Sequence, residues 1–217
     1  MRATPIEIED GLFQWSALHP VIHKEVFSYW LDASAVAIDP LVTDESTYEW
    51  LAARPAAPKT VLLSNRHHYR SAGDLRARFG CEVLCNQLGL HEFSPSQLVR
   101  GFKIGDRLAG PALAVEIDSI CPDDTGLYLG EHSALVLADA VVKGRHGIGF
   151  VPDQLMDEPQ RTKRGIIDAC RRVLEDPELD FRHLLLAHGG PVLETGREEL
   201  RSFVEAGGRT AFTMHES

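Results

Sequence analysis

The densest group of side chains that could do chemistry lies at residues 65–70, which read Asn-Arg-His-His-Tyr-Arg. A short apolar segment, Thr60 to Leu63, comes directly before them. Such a segment predicts a buried strand, and polar side chains at the end of a strand lie at the sheet edge where open α/β folds bind their ligands. Imidazole, amide and guanidinium groups at this edge can hold a metal ion or an anion.

Further candidates follow two later strands. Asp139 ends the apolar run 134–138, and His188 ends the run 183–187. The Gly-rich loop after Asp139 contains Lys143 and His146, which we interpret as possible pocket residues. A structural role is the alternative in each case, because an aspartate after a strand can cap a turn and a histidine before Gly-Gly-Pro can belong to a loop.

The run 60–73 resembles an altered form of the L-[ST]-H-x-H-x-D-H-x-G-G metal-binding motif of the metallo-β-lactamase family. Three shorter segments resemble other family motifs and occur in the family's order: Ile38-Asp39-Pro40, Leu137-Ala138-Asp139-Ala140 and His188-Gly189-Gly190-Pro191. The resemblance covers nearly the whole chain. It implies an α/β fold, a four-layer αββα sandwich with the site at one edge, where His67, Asp139 and His188 would converge.

The resemblance also implies that the metal site is degenerate. Family members bind two divalent metals through five histidines and two aspartates. The corresponding positions here are Asn65, His67, Tyr69, Arg70, a residue near Ile120, Asp139 and His188. Only His67, Asp139 and His188 keep a ligand side chain, and a permanently charged Arg70 would repel a cation. We therefore predict no dinuclear centre and no metal cofactor.

Two functions remain open. The first is a binding site for a small anionic ligand, lined by Asn65, His68, Arg70, Lys143 and His146. The second is a hydrolase of an ester, thioester or phosphoester that uses one zinc, iron or manganese ion. His67, Asp139 and His188 would be the ligands in that case, with Asp139 and His67 as the catalytic residues. If the loop register differs from that of the family by one residue, His68 takes the place of His67 as a ligand.

The loss of the metal also leads to an expectation for Arg70. A recessed Asp139 carboxylate needs a cation or hydrogen-bond donors, because an unpaired buried charge is costly. We expect the Arg70 guanidinium to pair with Asp139 directly or through one water, with Asn65 and His67 as neighbouring donors.

Composition limits the partners. The formal net charge of -10 argues against a general nucleic-acid binder or membrane-surface binder. The chain has no membrane-length apolar run and no signal-peptide pattern, so we expect a cytoplasmic protein with a single domain over residues 1–217. Its four cysteines are then predicted to be free thiols. A homodimer through the aromatics of the N-terminal hairpin is possible, and burial of these aromatics in the core is the alternative: Trp15, Phe27, Tyr29 and Trp30.

Periodicity predicts the elements that position these residues. Helices are expected over residues 45–53, 74–79, 158–174 and 197–206, and the third carries an apolar stripe. Strands are expected over residues 7–15, 26–31, 35–40, 61–63, 82–84, 112–117, 127–129, 134–139 and 183–187.

Overall fold

A computed structural model describes residues 5–117 and 120–208 of the chain. Each predicted helix is present, with ends shifted by at most two residues: α1 (Glu45–Ala52), α2 (Ala72–Phe79), α3 (Pro159–Glu175) and α4 (Gly196–Glu205). The side chain of Asp44 caps α1 by accepting a hydrogen bond from the Thr47 N–H. Gly80, in the left-handed conformation, ends α2.

The N-terminal half of the chain forms a sheet of seven strands that lie in sequence order. The strands are β1 (Ile6–Glu9), β2 (Leu12–Leu18), β3 (Glu25–Leu31), β4 (Val36–Ile38), β5 (Thr60–Leu62), β6 (Glu82–Asn86) and β7 (Val99–Phe102). Strands β1 to β4 are antiparallel to their neighbours, and β4 to β7 are parallel. The ends of β4 and β5 therefore meet at one edge, which carries Asp39 and residues 64–70.

The C-terminal half forms a second sheet of four strands in the order β13-β10-β9-β8. Its strands are β8 (Ala112–Glu116), β9 (Thr125–Leu129), β10 (Ala134–Leu137) and β13 (His183–Leu186). A separate hairpin, β11 (Val142–Gly144) and β12 (Gly147–Gly149), follows β10. Because β10 and β13 are parallel, the residues after them, Asp139 and His188, lie at the same edge.

Three hydrophobic cores separate the four layers. The alternation of side chains along β10 shows this, since Val136 lies in the core between the sheets while Leu135 faces the core under α3 and α4. The third core lies between the first sheet and helices α1 and α2. The predicted αββα sandwich is therefore confirmed.

The expected strands did not include β7, and local expectations were wrong in two further places. The predicted strand 7–15 is two strands, because Gly11 has a positive φ of 71° and turns the chain between β1 and β2. The predicted Gly-rich loop after Asp139 contains the hairpin β11–β12, whose strands are too short to show a periodic pattern.

The N-terminal aromatics belong mostly to the core. Trp15, Tyr29 and Trp30 are buried, and Phe27 is partly buried. These side chains fit the core alternative, and a homodimer stays a prediction. Cys81, Cys85, Cys121 and Cys170 are all buried free thiols. No helix in the described ranges is long and apolar enough to cross a membrane.

Candidate functional site

Four segments contribute side chains to the edge where the two sheets meet. Asp39 follows β4, His68 lies in a 3-10 turn after β5, Asp139 follows β10 and His188 follows β13. Backbone contacts join β3 of the first sheet to the residues after β13 of the second sheet at this edge. The Phe27 N–H donates to the Ala187 carbonyl at 2.9 Å, and Val26 forms a bridge with His188.

His68, Asp139 and His188 form one compact cluster, called here the His-Asp-His cluster. One Asp139 carboxylate oxygen, Oδ1, lies 3.1 Å from His188 Nε2, and the other, Oδ2, lies 3.6 Å from His68 Nε2. One possible ligand atom from each residue lies within 4.8 Å of the others. Within residues 5–117 and 120–208, this is the one group of three such residues that could hold a metal ion.

Asp39 supports the cluster from behind. Its carboxylate is buried and lies 3.0 Å from His68 Nδ1, on the side of the ring away from Asp139. The same carboxylate accepts hydrogen bonds from the Ser64 N–H at 2.8 Å and from the Ser64 hydroxyl. Since Nδ1 is engaged by Asp39, the ring presents Nε2 to the cluster, which is how a carboxylate orients a histidine ligand.

The two carboxylates control the charge of His68. Burial and the Arg70 guanidinium lower the pKa of His68, but Asp39 and Asp139 together outweigh them and raise it to about 9. Burial alone would raise the pKa of Asp139, yet His68 and His188 hold it well below its usual range. Without a metal, His68 is therefore an imidazolium between two carboxylates at neutral pH.

The placement predicted for His67 is wrong. Its side chain is exposed, and His68 occupies the position beside Asp139. The reason is the 3-10 turn Arg66–His68, in which successive side chains point in different directions. Asn65 caps this turn by accepting a hydrogen bond from the His67 N–H at 2.9 Å. The predicted convergence therefore holds for Asp139 and His188, with His68 as the third member.

The expected direct pairing of Arg70 with Asp139 is also wrong. The Arg70 guanidinium donates to the backbone oxygens of Phe27 and Asp39, at 3.1 and 2.8 Å. Asp139 instead accepts a hydrogen bond from the Asn65 amide at 2.8 Å, in addition to its contacts with the two histidines. Arg70 thus ties β3 to the loop after β4, because backbone carbonyls lie closer to it than the carboxylate does.

Of the other predicted residues, Lys143 contacts the backbone of the cluster, whereas His146 and Tyr69 lie elsewhere in the local structure. The Lys143 N–H donates to the His188 carbonyl at 3.1 Å, and the Lys143 ammonium donates to the Pro191 carbonyl at 2.9 Å. His146 is exposed at the turn of the β11–β12 hairpin. Tyr69, at the position of a family aspartate, packs against Phe93 with ring centroids 5.6 Å apart.

Sequence reasoning missed two parts of the site. The role of Asp39 as the support of His68 could have been inferred from Asp-Pro at the end of a strand. The second part is an ion pair between Arg66 and a fully buried Asp123. Asp123 accepts from the Arg66 N–H at 2.6 Å and from its guanidinium at 2.9 Å. It joins the turn after β5 to the loop before β9, and the two residues are 57 positions apart in sequence.

The donor set of the cluster fits a single divalent metal. Two imidazole nitrogens and one carboxylate suit zinc or iron, and metal–ligand bonds of about 2.0–2.2 Å place neighbouring donor atoms about 3 to 3.6 Å apart. The 3.1 and 3.6 Å contacts involve different oxygens of Asp139, and one possible ligand atom from each of the three residues lies within 4.8 Å of the others, which is close enough for a shared metal ion. Asp39 and Asn65 supply the outer hydrogen bonds that such ligands need.

Comparison with solved structures identifies the fold. A metallo-beta-lactamase family protein from Thermus thermophilus is 16% identical with a TM-score of 0.65, over 92% of this chain and 81% of that chain. A metallo-beta-lactamase from Pontibacter korlensis is 14% identical with a TM-score of 0.66, over 94% of this chain and 99% of that one. The protein therefore has the metallo-β-lactamase fold, as the sequence resemblance implies. No protein-family model and no curated protein sequence matches the chain.

The charge of His68 predicts a pH dependence for protein stripped of metal by a chelator. The folded-state pKa of His68 of about 9 lies above the unfolded value of about 6.5. The charged His68 ring therefore stabilises the folded state fully below pH 6.5, and this stabilisation is lost as the pH rises towards 9. We expect the free energy of unfolding to fall by on the order of 2 kcal/mol over this window. Urea unfolding at several pH values measures it, and a His68→Gln variant with the same slope would contradict the assignment.

Proposed function

We propose that this protein is a hydrolase that uses one divalent metal ion, held by His68, Asp139 and His188, and acts on a small anionic ester, thioester or phosphoester. The observation that carries the proposal is the spacing of the three side chains, with Asp39 behind His68. When bound, the ion would supply Lewis-acid activation of the scissile group and of water. The fold supports the proposal, since it also occurs in proteins described as metallo-beta-lactamases.

The protein's own residues prepare the cluster for this chemistry. Asp39 fixes the His68 ring, so that Nε2 stays directed at the centre of the cluster. Asn65 donates to one oxygen of Asp139 and limits rotation of the carboxylate. A side chain whose orientation is already fixed loses less conformational entropy when it coordinates a metal ion.

The charge of the site favours an anionic substrate. Asp39 and Asp139 carry two negative charges. Arg70 lies close enough to both for charge interactions: it lowers the pKa of Asp39, and the two carboxylates act to raise the pKa of Arg70. A divalent ion would turn the net negative charge of these three groups into a positive one. An anionic group of the substrate would then restore neutrality in a partly buried site, where an unbalanced charge is costly.

The test is the metal content of protein purified without added metal, measured by elemental analysis. We expect about one zinc, iron or manganese ion per chain, as in sites with three protein ligands. The variant His188→Ala should lose the ion, and His67→Ala should retain it because that side chain is exposed. Protein that retains the metal is then assayed for hydrolysis of simple carboxylic ester, thioester and phosphate ester substrates, and we expect it to hydrolyse at least one of these classes.

A metal-free pocket for a small anionic ligand is the second candidate. The raised pKa of His68 favours it, because the imidazolium already balances the two carboxylates together with Arg70. In that case purified protein would contain no stoichiometric metal, and a chelator would leave the melting temperature unchanged. An equal, non-zero metal content in wild type and His188→Ala would instead contradict the assignment of His188 as a ligand.

A further inference from the structure

A third histidine, His19, lies beside the His-Asp-His cluster in the loop between β2 and β3. Leu18 pairs with Glu25 at the end of this hairpin, and the next residue of β3, Val26, forms the bridge with His188. The hairpin therefore places the loop 19–24 next to the His-Asp-His cluster. His19 is partly buried there, although Val21 and Ile22 of the same loop are exposed.

Hydrogen bonds hold the His19 ring in one orientation. Its Nδ1 accepts from the backbone N–H groups of Val21 and Ile22, at 3.2 and 3.4 Å. The backbone of His19 is fixed as well, since its N–H donates to the Lys24 carbonyl at 2.8 Å. Because Nδ1 accepts hydrogen bonds, the proton of the neutral ring resides on Nε2, which remains available as a donor.

The surroundings of His19 favour the neutral form of this ring. Burial lowers its pKa first, and Arg70, His188 and His68 lower it further by charge repulsion. These three groups are the ones that surround Asp139 and Asp39, so His19 lies within electrostatic reach of the cluster. A neutral donor with a fixed direction suits an oxygen atom that carries negative charge.

We propose that His19 is a substrate-contacting residue, whose Nε2–H donates to an anionic oxygen of the substrate bound over the His-Asp-His cluster. The inference rests on the proposed function, because it assigns a role at the same site. The alternative is a purely structural role, in which the imidazole does no more than cap its own loop.

Two substitutions separate these roles. In His19→Asn the amide oxygen can take the place of Nδ1 and keep the loop hydrogen bonds, but the Nε2–H donor is lost. In His19→Gln the amide N–H can take the place of the Nε2–H, while the acceptor at Nδ1 is lost. A substrate-contacting role is therefore disrupted by asparagine and largely rescued by glutamine, and a structural role gives the reverse order.

The measurement is the affinity of the full-length protein for inorganic phosphate, by calorimetry or by NMR of the histidine side chains. We expect His19→Asn to bind phosphate about tenfold more weakly than wild type, the loss typical of one hydrogen bond to a charged group, and His19→Gln to bind almost as well. Equal affinity in wild type and His19→Asn, a weaker affinity only in His19→Gln, or no phosphate binding by wild type at millimolar concentration would overturn the proposal.

Metal content distinguishes this result from a failure of the proposed function. His19 is not a member of the group that could hold the ion, so His19→Asn should contain as much metal as wild type. If wild type contains no metal, the hydrolase proposal fails, and the order of phosphate affinities still decides the role of His19.

Discussion

Replacing Asp123 with alanine is expected to destabilise the protein by about 3–5 kcal/mol, the cost of breaking a buried ion pair from one side. The Asp123 side chain is fully buried, and the Arg66 side chain is 16% exposed. The substitution removes the acceptor of two Arg66 hydrogen bonds and leaves the guanidinium with a longer contact, 3.8 Å, to the exposed Glu92 carboxylate. Urea unfolding of wild type and variant measures the difference.

An exposed ion pair provides the matched control. Arg78 and Glu45 also form a bidentate contact, but their side chains are 41% and 60% exposed. Glu45→Ala should therefore cost much less than Asp123→Ala, as exposed pairs usually do. A loss of similar size in both variants would show that burial of Asp123 does not determine the strength of its pair.

Replacing Gly189 with alanine is expected to destabilise the protein by about 3 kcal/mol and, if the proposed metal site exists, to weaken its affinity for zinc about tenfold. Gly189 has a positive φ of 80°, and a Cβ atom there would lie 1.9 Å from the Lys143 carbonyl oxygen. Because that contact involves backbone, either the β11–β12 hairpin or the adjacent His188 must move. Thermal unfolding and a zinc titration of the variant measure the two effects.

Gly80→Ala is the control for backbone conformation alone. Gly80 has a φ of 73°, and a Cβ atom there would meet nothing within 4 Å. The variant should lose only about 1 kcal/mol, the strain of a left-handed alanine. Its affinity for zinc at the proposed site should equal that of wild type, since α2 ends away from the cluster. A Gly189→Ala variant that behaves like Gly80→Ala would contradict the close approach of Lys143 to Gly189.

The sequence alone determined the layers of the fold. The helical period locates the four α-helices of the described residues, and the order of four short motifs resembles the metallo-β-lactamase family, which implies the αββα sandwich. These features are local or sequential, so they are visible without coordinates. The family resemblance also implied that Asp139 and His188 converge at one edge. The structure places both there because the strands before them are parallel neighbours.

Only the tertiary structure decided which of two adjacent histidines enters the site. His67 and His68 have the same side chain, and their exchange is a rotation within one 3-10 turn. That rotation is fixed by contacts distant in sequence: Asp39 lies 29 positions before His68, and Asp139 follows Asn65 by 74. The same reason hid the Arg66–Asp123 pair and the approach of the β2–β3 loop, since no local pattern encodes a contact between the ends of separate strands.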